Sequence, residues 1–352
     1  MTCRNPWAAA LAGFVMNALA GAAFNARAAD TTDFLPARPD EPLAKKFSLQ
    51  RAATVLDASA RAWKDEHQCV QCHANFMYLI ARPALASVVP QPRETRELLE
   101  WLVSERWEEK GLRYPAEAMV VAVPLAFDDA ATTEKLHPLT RRALDRMVSL
   151  QRADGSWPWV TGAPKAFVRE FELTMFVALG IAVAPGGYAQ SEKGRLALDR
   201  IRRFARGHPP TTAFGKGMLI WAASRAEGLQ PEAERRKACE ELLALQGTNG
   251  GWAIENLIVG CKTFEEVKFS ATRASEGYAT GFVIFQARNA GVPASDARLQ
   301  RGLAWLKANQ RESGRWFVAS FNKRPNHILS NSGTAFAVLA LQACGEVPAP
   351  GK

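Results

Sequence analysis

The chain has 352 residues and a formal net charge of +9, with 48% hydrophobic and 22% charged residues. That composition supplies a sizeable apolar core and excludes collagen-like and disordered classes. Lys and Arg are scattered, so the charge reads as a solvated surface and nucleic acid is not an expected partner.

Arg4 precedes an apolar stretch from Pro6 to Phe24, followed by the small-residue run Ala26-Arg27-Ala28-Ala29. This pattern predicts a signal peptide over 1–28, cleaved after Ala28, and a periplasmic or secreted protein with no stable membrane span after cleavage. An uncleaved anchor is the competing reading, because the run approaches spanning length. Residues 29–47 contain Pro36, Pro39 and Pro42 and read as an extended leader. Loss of Cys3 leaves an odd number of cysteines in an oxidising compartment, so simple pairing does not account for all of them.

From residue 48 onward, amphipathic and more uniformly apolar helical patterns alternate. The amphipathic set falls near 48–64, 93–108, 136–151, 190–206, 231–246 and 295–310. The apolar set falls near 69–85, 115–127, 168–183, 211–226, 274–290 and 328–344. A helix apolar around most of its circumference must be buried, and one with a single apolar stripe belongs outside. Six of each predict an all-α, single (α/α)6 toroid over 48–346, with six inner and six outer helices and a tail over 347–352.

Three units share one spacing: Gln151, Gly155 and Trp157; Gln246, Gly250 and Trp252; Gln310, Gly314 and Trp316. Each follows an amphipathic helix, and the Gly is expected to stop it. These Gln-x-x-x-Gly-x-Trp units resemble the QW repeats of squalene-hopene cyclases and their relatives, the terpenoid cyclase and protein prenyltransferase toroids. The resemblance covers about 48–346, is fullest over Arg301–Trp316, and implies that the Gln caps an outer helix while the Trp stacks near the next turn. It does not extend to the cyclase acid motif: the chain has no DxDD, and Phe127-Asp128-Asp129 reads as a solvated turn at the end of an inner helix.

The sharpest chemical signal is Cys69-Val70-Gln71-Cys72-His73. Thiols at i and i+3 on the first turn of a helix add to two haem vinyl groups, and the next residue's imidazole ligates the iron. The motif therefore predicts a covalent haem c held by Cys69, Cys72 and His73, and export agrees with attachment outside the cytoplasm. Zinc is the alternative. The prenyltransferase resemblance implies a catalytic zinc at the same mouth of the ring, and Cys69, Cys72, His327 and Cys261 offer a thiolate-rich set. Adjacent side chains diverge by about 100° around a helix, so zinc gives no reason for a His at position 73. A local Cys69–Cys72 disulfide is the third reading. Ring closure would make the first and last inner helices neighbours, which nominates His327 as distal haem ligand or zinc ligand.

Phe76, Tyr78, Phe171, Phe176, Trp221, Tyr278, Phe282 and Phe336 are expected to line a central cavity suited to an apolar, isoprenoid-type molecule. Glu172 and Glu276, near the N-terminal ends of inner helices, are candidate acids whose ordinary role is to face a helix dipole. Cys239 and Cys344 are expected to be buried thiols. Three functions follow as expectations: an exported haem protein with a redox role and an electron-transfer partner; a zinc-dependent transferase or cyclase; or a non-catalytic toroid that binds a lipid or a partner protein.

Overall fold

The structure, a computed structural model, describes residues 36–67, 70, 72–158, 169–261, 274–319 and 329–348, the side chains of Cys72 and His73 excepted. The predicted signal peptide 1–28 lies outside them. Among the described residues there is no strand, and no helix is long and apolar enough to cross a membrane. The chain from Phe34 to Lys352 forms one unit.

Twelve helical segments alternate in the predicted order. The outer ones are Leu49–His67, Glu94–Lys110 (with a π-turn at Leu102–Arg106), Pro138–Val148, Glu192–Gly207, Glu232–Leu243 and Ala297–Ala308. The inner ones are Cys72–Leu85, Ala116–Thr132, Glu170–Val183, Ala213–Arg225, Gly277–Asn289 and Leu329–Ala343. Each inner helix packs on the next, and the sixth packs against the first, so the ring closes as an (α/α)6 toroid. All inner helices run the same way. Their N-terminal ends share one face and their C-terminal ends the other.

Burial explains the two sets. The third inner helix buries every residue from Glu172 to Ile181, whereas the fourth outer helix buries only its stripe of Gly194, Ala197, Leu198, Ile201, Phe204 and Ala205. The centre of the ring is filled by an aromatic column. Phe76 meets Phe176 edge-on at 4.9 Å, Phe176 lies 5.9 Å from Trp221, and Phe282 and Tyr278 stand 5.3 and 4.9 Å from Phe336.

The three repeat units lock the turns from outer to inner helix with one shared set of bonds. The indole N–H groups of Trp157, Trp252 and Trp316 donate to the carbonyls of Met147, Leu242 and Leu306 at 2.8, 3.0 and 2.8 Å. Each carbonyl lies in the last turn of its outer helix and also accepts the backbone N–H three residues on, so the indole adds a second donor where the helix ladder stops. The Gln amides reach the next outer helix: Gln151 donates to Ala197 O, Gln246 to Arg298 O and Gln310 to Ser48 O, at 3.1, 2.7 and 2.9 Å. The division of labour therefore differs from the expectation, because the Trp caps the helix and the Gln clips its neighbour. The helices also end before the Gln, and the Gly serves the turn. Gly314 has φ +97°, and a Cβ there would lie 2.3 Å from the Arg51 carbonyl carbon.

This third unit closes the ring onto the first outer helix. The described part of the extended leader clamps the same seam: Ala44 N donates to Gln310 O at 2.8 Å, Glu312 N to Pro42 O at 3.0 Å and Ser313 N to Glu41 Oε1 at 2.8 Å. Asp128 and Asp129 depart from the solvated turn expected of them. They are 3% and 0% exposed and face the Arg96 guanidinium at 2.5 and 2.7 Å, while Asp129 also accepts from His137 N. A buried carboxylate pair persists only with such a partner, and it holds the second outer helix to the second inner one.

Candidate functional site

The N-terminal face of the inner helices carries the cysteine motif. The first inner helix begins at Cys72, and its first turn, Cys72–Phe76, is a π-turn. Val70 precedes it, buried and non-helical. The motif therefore straddles the entry to the helix instead of lying wholly on its first turn. Cys69 and the side chains of Cys72 and His73 lie outside the described residues, as does His327. Single-turn π segments widen a helix locally and recur at functional sites.

Three polar side-chain atoms flanking the motif are buried with no hydrogen-bond partner: Trp63 Nε1, His67 Nδ1 and Asn75 Oδ1. Trp63 and His67 lie one turn apart on the last part of the first outer helix, and their rings stack at 3.7 Å with planes 4° apart. Asn75, on the π-turn, spends its amide on Ala60 O at 3.2 Å and leaves its own carbonyl without a donor. Buried polar atoms are usually paired, and these three, among thirteen such atoms spread over the described residues, leave hydrogen-bonding capacity beside the motif.

The carboxylates on this face are caps. Glu276 Oε2 and Oε1 accept from Tyr278 N and Ala279 N at 2.6 and 2.8 Å at the start of the fifth inner helix. Glu172 Oε2 accepts from Arg169 N at 2.8 Å. Glu117, which sequence reasoning did not single out, accepts from Arg113 N at 2.7 Å and is 2% exposed. Burial pushes the Glu276 carboxyl up to about 8, against the pull of its backbone donors Ala279, Tyr278 and Ile254, with Glu255 adding to the rise. Burial raises Glu172 as well, opposed by its bond from Arg169 N. These groups are committed to the helix N-termini.

Cys261 is a free thiol, 3% exposed, next to the short helix Ile254–Leu257. Among the described residues, no three His, Cys, Asp or Glu side chains gather as a metal site. Cys239 is a buried free thiol and Cys344 a half-buried one; burial raises them to about 12 and about 11.

The opposite face is hollow. A cavity of about 860 Å³ lies among the C-terminal ends of the inner helices, walled by Ile80, Phe127, Val183, Trp221, Phe285 and Leu339, with Ser224, Arg225 and Gln342 also along its lining. Of the eight aromatics expected to line a cavity, Trp221 lines this one. Phe76, Phe176, Tyr278, Phe282 and Phe336 belong to the packed column. Two are corrected outright. The Tyr78 hydroxyl donates to Asp57 of the first outer helix at 2.8 Å, and Phe171 lies 6.3 Å from Phe204 of the fourth. Both therefore turn away from the axis. Asp57 also accepts a bidentate pair from the fully buried Arg82 at 2.8 and 3.0 Å, which fixes the Tyr78 side of the helix outward.

No family model matches the chain, and no curated protein does. Among solved structures it is similar to ent-copalyl diphosphate synthase from Streptomyces platensis, at a TM-score of 0.48 and 13% identity, over 77% of this chain and 50% of that one. The chain spans half the length of that synthase.

Proposed function

We propose that this toroid is an exported c-type haem protein with a redox role, in which Cys69 and Cys72 carry the porphyrin covalently and His73 is the proximal iron ligand. The observation that carries the reading is the pair of unpartnered donor-capable atoms, Trp63 Nε1 and His67 Nδ1, on the last turns of the helix before the motif. The indole N–H and an imidazole N–H are the donors that a haem's acidic side chains require. The spacing adds chemical support, since His73 follows the second thiol directly at the entry to an inner helix.

Bound haem supplies reversible one-electron chemistry at its iron. The chain's own part is to anchor, orient and shield it. The Trp63–His67 stack forms a rigid flank, and the aromatic column beginning at Phe76 keeps water from the ring's interior. His327 stands two residues before the sixth inner helix, which packs beside the first. It would supply a second ligand to the iron. The electron partner is proposed to be another redox protein meeting this face.

The test replaces His73 by Ala in protein exported from a host with haem-attachment machinery. The wild type is expected to absorb near about 410 nm, and the variant to lose that native spectrum while keeping its helical circular dichroism. An unchanged spectrum would overturn the assignment of His73. Stoichiometric zinc with no haem absorbance would favour the transferase reading, and neither metal nor haem would favour a lipid- or partner-binding toroid.

A further inference from the structure

We propose that the cavity at the C-terminal ends of the inner helices is a binding site for an acidic amphiphile, its apolar body inside the ring and its anionic head at Arg225. The site is separate from the cysteine motif and does not depend on the cofactor.

The shape comes from a change of residue size along the ring. In the middle, Phe176, Trp221 and Phe336 fill the axis. At the C-terminal ends the first three inner helices present Ala84, Ala130, Ala131 and Ala182 instead, and the axis opens. The resulting volume of about 860 Å³ is that of a small-molecule pocket. Its aliphatic and aromatic side chains offer apolar surface to one part of a ligand, while Ser224, Arg225 and Gln342 add polar surface for another.

Charge selects the head group. Among the described residues no carboxylate lines the cavity, and Arg225 is the single charged residue that does. Arg225 is exposed, and among the described residues nothing pairs with it. The inner helices end on this face with electronegative carbonyls, which by themselves would attract a cation. Two of those ends are already answered within the chain: Arg288 Nε donates to Ala343 O at 2.9 Å, and Ser224 Oγ donates to Trp221 O at 2.7 Å. Arg225 is thus left as an uncommitted cation, with the exposed Gln342 amide also on the lining as a second donor.

Isothermal titration of the exported protein with dodecanoate, dodecyl phosphate, dodecan-1-ol and dodecylamine tests this directly. One of the two anions is expected to bind saturably and at least about tenfold tighter than the alcohol or the amine. Which anion binds tighter identifies the head group as carboxylate or phosphate. Arg225→Ala is expected to bring anion and alcohol within about threefold of each other. Ala182→Phe, or Ala84→Phe from another wall should the first variant misfold, is expected to abolish binding of all four. The proposal is overturned if the alcohol or amine binds as tightly as the anions, if filling the cavity leaves binding intact, or if no probe binds. Because haem absorbance is read on the same samples, loss of amphiphile binding and loss of the cofactor are separate results.

Discussion

The two faces of the ring are built to opposite ends. On the N-terminal face three inner-helix entries are tied down by carboxylates. Glu117, Glu172 and Glu276 accept backbone N–H groups, and the Trp units cap the outer helices that lead there. On the C-terminal face the axis is hollow, its wall mixes apolar side chains with Ser224 and Gln342, and its cation is uncommitted. A face locked by reciprocal hydrogen bonds suits a group held permanently in one orientation. An open apolar mouth suits a ligand that comes and goes.

The largest effect that sharpens this contrast is expected from Cys69→Ser combined with Cys72→Ser, which should eliminate covalent haem completely, while Ala182→Phe leaves pigment content unchanged. Intact-mass spectrometry reads both. Loss of haem in the cavity-filling variant would merge the two faces into one site.

A matched pair of glycines tests how tightly each face is packed. Gly314→Ala, at φ +97° with backbone of the first outer helix 2.3 Å from the added carbon, should destabilise the fold by about 3 kcal/mol. Gly291→Ala, on the cavity face at φ +91° with nothing within 4 Å, should cost only the left-handed backbone penalty of about 1 kcal/mol. Chemical denaturation of the two variants should therefore give clearly different midpoints, and equal losses would remove the distinction.

The Glu276 cap adds a pH dependence. Its folded pKa is about 8 against 4.5 for the ordinary group, so the folded state holds this proton more tightly. The associated stability is fully present below about pH 4.5 and is lost as pH rises through about 8. Glu276→Gln, which keeps an acceptor for the backbone donors, should flatten that decline, as denaturant titrations at pH 5 and pH 9 would reveal. The smallest effect is expected from Trp157→Phe. Losing the bond to Met147 O while keeping most of the ring should cost about 1 kcal/mol.

Much of this architecture is legible in one dimension. Helical period distinguishes stripe from all-round burial, and the spacing of Gln310, Gly314 and Trp316 locates a turn before any contact is known. Direction on an inner helix is not legible, because a helix apolar nearly all round has no phase. Phe171 and Tyr78 therefore read as axial residues although both turn outward. Asp128 and Asp129 were obscured for another reason: their partner Arg96 lies on a different helix, more than thirty positions upstream, and no local pattern pairs them. The cavity depended on where Ala replaces Phe and Trp in register across several helices, which only the closed ring reveals.

The covalent porphyrin proposed for the motif face is the feature on which the contrast between the two faces depends. Its most direct test is the intact mass of protein exported from a haem-competent host, read together with alkylation of its thiols. The mass is expected to be raised by one haem, with Cys69 and Cys72 both protected from alkylation after reduction. A mass equal to the apoprotein's, with both thiols alkylated once reductant is added, would contradict it.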